Sequence, residues 1–97
     1  LFTAEVYYQQ NQFAKAIPYY KQYIGSAGAK APAAVKFRYG QSLFRTGAYT
    51  DAITQLKPLA AGKDTTAQYA AYTLGVSYLQ TQNPTYALNA FDQAGRL

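Results

Sequence analysis

Four carboxylates, Glu5, Asp51, Asp64 and Asp92, are the whole acid inventory of a 97-residue chain that has no histidine and no cysteine. The commonest general acid–base and the strongest side-chain nucleophile are therefore both missing. The acids are scattered, so a paired-carboxylate or carboxylate–metal site would need distant segments to converge. Asp51 and Asp64 each fall at or near the start of a predicted helix, where a carboxylate meets free N–H groups and the positive end of the helix dipole. Asp92 stands four residues before Arg96, the favourable order for a surface ion pair on a helix. Ser26, Ser42 and Ser77 have no base to activate them. The glycine-containing stretches 25–32 and 60–66 lack the strand–loop–helix setting and the Lys-Ser/Thr ending of a phosphate cradle. The inventory points to a chain without catalysis, cofactor or metal.

The remaining chemistry is recognition. Nine Lys and Arg against four acids give a net charge of +5, which favours anionic partners only mildly. The nearest grouping of cations, Lys30, Lys36, Arg38 and Arg45, spans two predicted elements, unlike the dense basic face of a nucleic-acid binder. The aromatic residues are 11 Tyr and 5 Phe with no Trp, so most rings carry a polar end. The absence of Cys leaves the redox compartment open. No apolar run approaches the roughly 20 residues of a membrane span. The N-terminal LFTAEVYY has neither a basic region nor a cleavage-type ending, and without an initiator Met the chain reads as part of a longer protein.

The elements that would position these side chains are repeated. The windows TAEVYYQQNQFAKAI (3–17), YGQSLFRTGAYTDAI (39–53) and LGVSYLQTQNPTYAL (74–88) align without gaps at offsets of 36 and 35 residues. A period in this range marks stacked supersecondary units. The second column is small (Ala4, Gly40, Gly75), the fifth and sixth are large, and each window ends in Ala followed by a branched aliphatic. Small residues let helices approach closely and large ones fill the space beside the contact. Breaks at Asn11-Gln12, at Thr46-Gly47-Ala48 and at Gln82-Asn83-Pro84 read as turns between antiparallel helices, with Gly47 suited to the left-handed position past a helix end and Asn83-Pro84 to an N-cap and first helical position. The pattern predicts helices over about 1–10, 13–24, 33–46, 49–60, 65–81 and 84–96. Pro18 and Pro58 conflict with it: Pro18 is expected to bend its helix or delay its start, and Pro58 to end its helix early.

These features resemble the tetratricopeptide repeat family over nearly the whole chain. Ala87-x-x-x-Phe91 matches the second-helix A-x-x-x-F pattern of that family, Ala16 with Tyr20 and Ala52 with Leu56 match it in type, and Gly40, Gly75 and Ala4 match its small position. The family's Trp is absent, and these repeats are one or two residues longer than its 34. The resemblance implies an all-α fold, a right-handed α-solenoid of three antiparallel helix-turn-helix repeats at about 1–31, 32–64 and 65–97, forming a single domain. It further implies a non-catalytic scaffold that binds a peptide or partner protein in a groove lined by its first helices. Carried over position by position, that groove holds Glu5, Tyr8 and Gln9; then Ala34, Phe37, Gln41, Phe44 and Arg45; then Tyr69, Tyr72, Val76, Leu79 and Gln80. Arg38, on the same helix as Arg45, would help grip a partner carboxylate. Tyr7, Tyr39 and Tyr78 are expected in the core, and Tyr20 and Tyr23 between repeats with their hydroxyls reaching water. The expected partners are a protein or peptide, with no metal, small-molecule substrate or nucleic acid, and with self-association through exposed end repeats as a further contact. A regulatory segment of a larger signalling protein is the competing reading, and an anionic-polymer binder the third. The Ala-, Gln- and Tyr-rich wording resembles repeat domains of bacterial outer-membrane assembly and lipoprotein-type proteins, which implies the cell envelope of a Gram-negative bacterium.

Overall fold

The computed structural model is described over residues 1–95, which form six α-helices: α1 (Phe2–Gln9), α2 (Phe13–Ala27), α3 (Ala33–Arg45), α4 (Tyr49–Ala60), α5 (Thr65–Gln80) and α6 (Pro84–Gly95). One 3-10 turn, Gly28–Lys30, lies between α2 and α3, and there is no strand among the described residues. The helices pair as hairpins α1–α2, α3–α4 and α5–α6. The second helix of each hairpin packs on the first helix of the next, α2 on α3 and α4 on α5, and α3 also touches α5. This is the all-α solenoid that the repeat spacing predicts.

The core consists largely of alanines, with Ala4, Ala16, Ala52, Ala60, Ala70, Ala71 and Ala90 among its buried members, filled in by Tyr20, Val35, Tyr39, Leu43, Leu56 and Leu74. The second column shows why its residues must be small. A Cβ placed on Gly40 would stand 2.6 Å from Leu56 Cδ2, and one on Gly75 2.6 Å from Phe91 Cε1, both inside van der Waals contact. The helices of these hairpins are as close as a missing side chain allows.

The three breaks within hairpins share one geometry. Asn11, Gly47 and Gln82 have φ of 59°, 84° and 63°. The N–H that follows each reaches back across the helix end: Gln12 to the Tyr7 carbonyl at 2.9 Å, Ala48 to Leu43 at 2.9 Å and Asn83 to Tyr78 at 2.8 Å. A left-handed residue followed by this long backward bond is how a helix satisfies its last carbonyls. Gly47 behaves as its type predicts, whereas Asn11 and Gln82 adopt the same conformation without glycine's freedom. Asn83 precedes Pro84, the first residue of α6, but its side-chain amide donates back to the Thr81 carbonyl and hydroxyl.

Two expectations about helix ends are corrected. Neither proline ends its helix: α2 starts at Phe13 and runs through Pro18, and α4 continues past Pro58 to Ala60. Both prolines are exposed, as are Ala14 and Thr54, whose carbonyls lose the N–H partner that residues 18 and 58 would have supplied; solvent takes its place. Nor does α2 stop at Ile24. Gly25 and Ser26 are helical, and the helix ends at Gly28, whose φ of 57° turns the chain and whose N–H donates to Ile24.

Candidate functional site

Glu5 of α1 ties the first two hairpins together. Its Oε1 accepts from Arg38 Nη1 of α3 at 2.9 Å, and its Oε2 accepts from the Tyr20 hydroxyl of α2 at 3.1 Å. Tyr20 is fully buried, so its hydroxyl meets Glu5 and not the expected water. Burial, then the Glu5 charge and the hydrogen bond that holds the proton, push the Tyr20 phenol well above the usual tyrosine value. Burial also raises Tyr8, against the lowering pull of Arg38 and Arg45, and raises Tyr39, with Asp51 adding to it.

The same two columns pair again one repeat on. Gln41 of α3, in the column of Glu5, accepts from the Thr73 hydroxyl of α5 at 3.2 Å, and Thr73 stands in the column of Arg38. Each first helix thus reaches the next through one polar pair. The third member of the Glu5 column is Val76, which has no polar atom to offer.

Around this ladder the groove residues separate into two groups. Tyr69, Tyr72 and Leu79 are exposed, at 59%, 60% and 50%, as are Gln9, Ala34, Arg45 and Gln80. Tyr8, Phe37 and Phe44 are half-buried against the core, and Gln41 and Val76 are half-buried too. Ring contacts account for part of this burial: Tyr8 meets Phe13 and Tyr20 edge-on, and Phe44 meets Tyr49. Arg38 and Arg45, expected to grip a partner carboxylate together, are each engaged within the chain. Arg38 is held by Glu5, and the Arg45 guanidinium lies 5.6 Å from the Phe13 ring centre, a cation–π distance.

Asp64 is the N-cap of α5 and accepts from the Ala67 N–H at 2.9 Å; Asp51 lies in the first turn of α4 without capping it. The expected Asp92–Arg96 pair lies partly outside the described residues. Ser42 and Ser77 are buried, and each hydroxyl donates at 2.8 Å to the carbonyl four residues back. No group of three or more metal-ligating side chains occurs among the described residues, and no helix there is long and apolar enough to cross a membrane.

The sequence predicts exposed end repeats and places Glu5, Gln9, Tyr69 and Tyr72 in a groove, but it does not reveal the two hollows that these residues line. An open hollow of about 790 Å³ lies between α5 and α6, lined by Gln68, Tyr69, Tyr72, Phe91, Ala94 and Gly95. A smaller one of about 410 Å³ runs along α1 beside Phe2, Glu5, Val6, Gln9 and Gln10. The signal was present in the columns: Leu88 repeats Ile17 and Ile53, yet it is 70% exposed where they pack against the core.

Comparison with known proteins agrees with this geometry. A family model described as tetratricopeptide repeat matches residues 3–64. No significant match was found among curated proteins or solved structures.

Proposed function

Since the chain belongs to the tetratricopeptide repeat family, whose repeats generally mediate protein–protein interaction, we infer that it is a non-catalytic scaffold that binds a peptide or partner helix along the outer face of α1, α3 and α5. One observation carries the reading. On α5, Ala67, Ala70, Ala71, Thr73, Leu74, Gly75 and Ser77 are buried, while Tyr69, Tyr72, Leu79 and Gln80 are exposed at helical spacing, with the half-buried Val76 among them. An apolar and amide-bearing stripe facing outward costs solubility and is useful when something lies on it. Tyrosine is also the residue type that contributes large contact area at small conformational cost.

The partner chemistry that fits is apolar side chains at intervals on an extended or helical segment, with backbone groups reaching Gln80 and Gln9. The net charge of +5 biases the partner toward acidic flanks. An envelope location belongs with this proposal, on composition alone; fractionation of source cells tests it. The test of the face uses a photo-crosslinking residue in place of Leu79, with Tyr19 as an exposed control on α2. Partner capture from position 79 and not from position 19 is expected. Equal capture from both positions, or from 19 alone, removes the assignment.

A further inference from the structure

A small hollow of about 170 Å³ lies inside the stack, where α4 of the second hairpin meets α5 and α6 of the third. Part of its lining is apolar and buried, Leu74 of α5 and Ala90 of α6. The rest is polar: Lys57 from α4, Tyr78 from α5, and Tyr86, Asn89 and Gln93 from α6. The Tyr78 and Tyr86 ring centres are 5.4 Å apart. Gln93 Nε2 donates to the Ala60 carbonyl at 2.7 Å and so ties α6 to α4 beside the hollow. The ammonium of Lys57, the two tyrosine hydroxyls and the Asn89 amide have no partner among the described residues. One cation and three neutral donors therefore line a hollow that no acid lines.

The boundary between the first and second hairpins shows how the same columns are used elsewhere in the chain. Lys57 repeats Lys21, Leu74 repeats Tyr39, and Tyr86 repeats Asp51. There the chain supplies its own carboxylate: burial raises the Tyr39 phenol, and Asp51 is near enough to raise it further. At the second boundary the lysine is kept and the acid is not. A buried leucine replaces the core tyrosine, and a tyrosine stands where the carboxylate was.

We propose that this hollow binds a single carboxylate on a short apolar stem, taking the place that Asp51 fills one repeat earlier. Lys57, Asn89 and the tyrosine hydroxyls donate to its oxygens, and the stem lies over Leu74 and Ala90. A hydrogen bond to an ionised acceptor is about twice as strong as a neutral one, so the bare ammonium favours the carboxylate over an amide of the same shape. The space is smaller than the roughly 300–1,000 Å³ of a drug-sized site, which limits the ligand to one side chain or its equivalent. Two sources carry this chemistry, a glutamate within an acidic partner segment and a free short-chain carboxylic acid. The hollow shares no residue with the partner face on α1, α3 and α5, and the inference does not rest on that reading.

Amide proton–nitrogen correlation spectra of the 97-residue chain, titrated with the blocked tripeptides Ala-Glu-Ala and Ala-Gln-Ala and with butyrate, test the proposal. The Glu peptide should shift the Asn89 side-chain amide and the backbone around Tyr78 and Tyr86 saturably, and the Gln peptide should not. Lys57→Gln should weaken binding about tenfold, the loss of one charged hydrogen bond, while Lys63→Gln on the exposed loop leaves it unchanged. Tyr86→Asp gives the second boundary the acid of the first and should abolish binding. Both altered side chains are exposed, and the same spectra report that the variants are folded. Butyrate binding as well as the Glu peptide assigns the site to a free acid; weaker butyrate binding assigns it to a peptide. No saturable shift with either carboxylate, an equal response to the Gln peptide, binding untouched by Lys57→Gln, or equal shifts around Lys21 and Asp51 overturns the inference.

Discussion

Leu56 and Phe91 stand over equivalent glycines, but their freedom to yield differs. Leu56 is fully buried under α5, and the atoms nearest a new Cβ on Gly40 include its Cγ, at 2.8 Å. Phe91 is only half-buried and borders the open hollow, so its ring can swing outward. Alanine gains about 1 kcal/mol over glycine in a helix, while overpacking a rigid core costs about 1–3 kcal/mol. Gly40→Ala should therefore lower stability by up to about 2 kcal/mol, with Gly75→Ala close to neutral or slightly stabilising, as urea denaturation would show. Tyr20 gives a second residue-scale prediction. Its folded pKa lies above the ordinary 10.0, so the proton is held more tightly in the native state than in the unfolded one. The resulting stability is complete below pH 10.0 and is lost as the pH rises further and the unfolded chain gives up its proton first. Tyr20→Phe should cost about 1 kcal/mol at neutral pH and flatten the alkaline limb of the stability profile. The small column was legible because a missing side chain is visible in the letters. The fate of the Tyr20 hydroxyl was not, because it depends on a carboxylate fifteen residues away, in another helix.

At the scale of elements, the turns show how far residue type governs local shape. Gly47 announces a left-handed residue; Asn11 is permissive, and Gln82 is neither, yet the three breaks coincide in geometry. The repeat register imposes the conformation, since the helices on either side are fixed by packing. The prolines make the converse point: proline breaks an isolated helix, but packing on the buried faces carries α2 and α4 through Pro18 and Pro58, at positions whose carbonyls water can satisfy. Element order also sets local stability. α5 is covered by α3, α4 and α6, whereas α1 is eight residues long with only Ala4 buried and packs substantially on α2 alone. Amide hydrogen exchange should be slowest in α5 and fastest in α1, and Glu5→Ala should speed exchange in α1 and α2 while leaving α5 and α6 unchanged.

The whole molecule measures 36 × 25 × 21 Å, a short stack of hairpins in which each leans on its neighbour. That much followed from the offsets of 36 and 35 residues, because three hairpins in phase admit few arrangements. The hollows beside α1 and between α5 and α6 did not follow, since their shape emerges only when equivalent side chains are compared in place. Contacts run from α2 to α3 and from α4 to α5, with nothing substantial joining the first hairpin to the third. Force applied between the two ends would therefore not meet a single clasp that fails all at once. Extension should proceed in hairpin-sized steps, each reversible, so that the chain under load behaves as a soft spring.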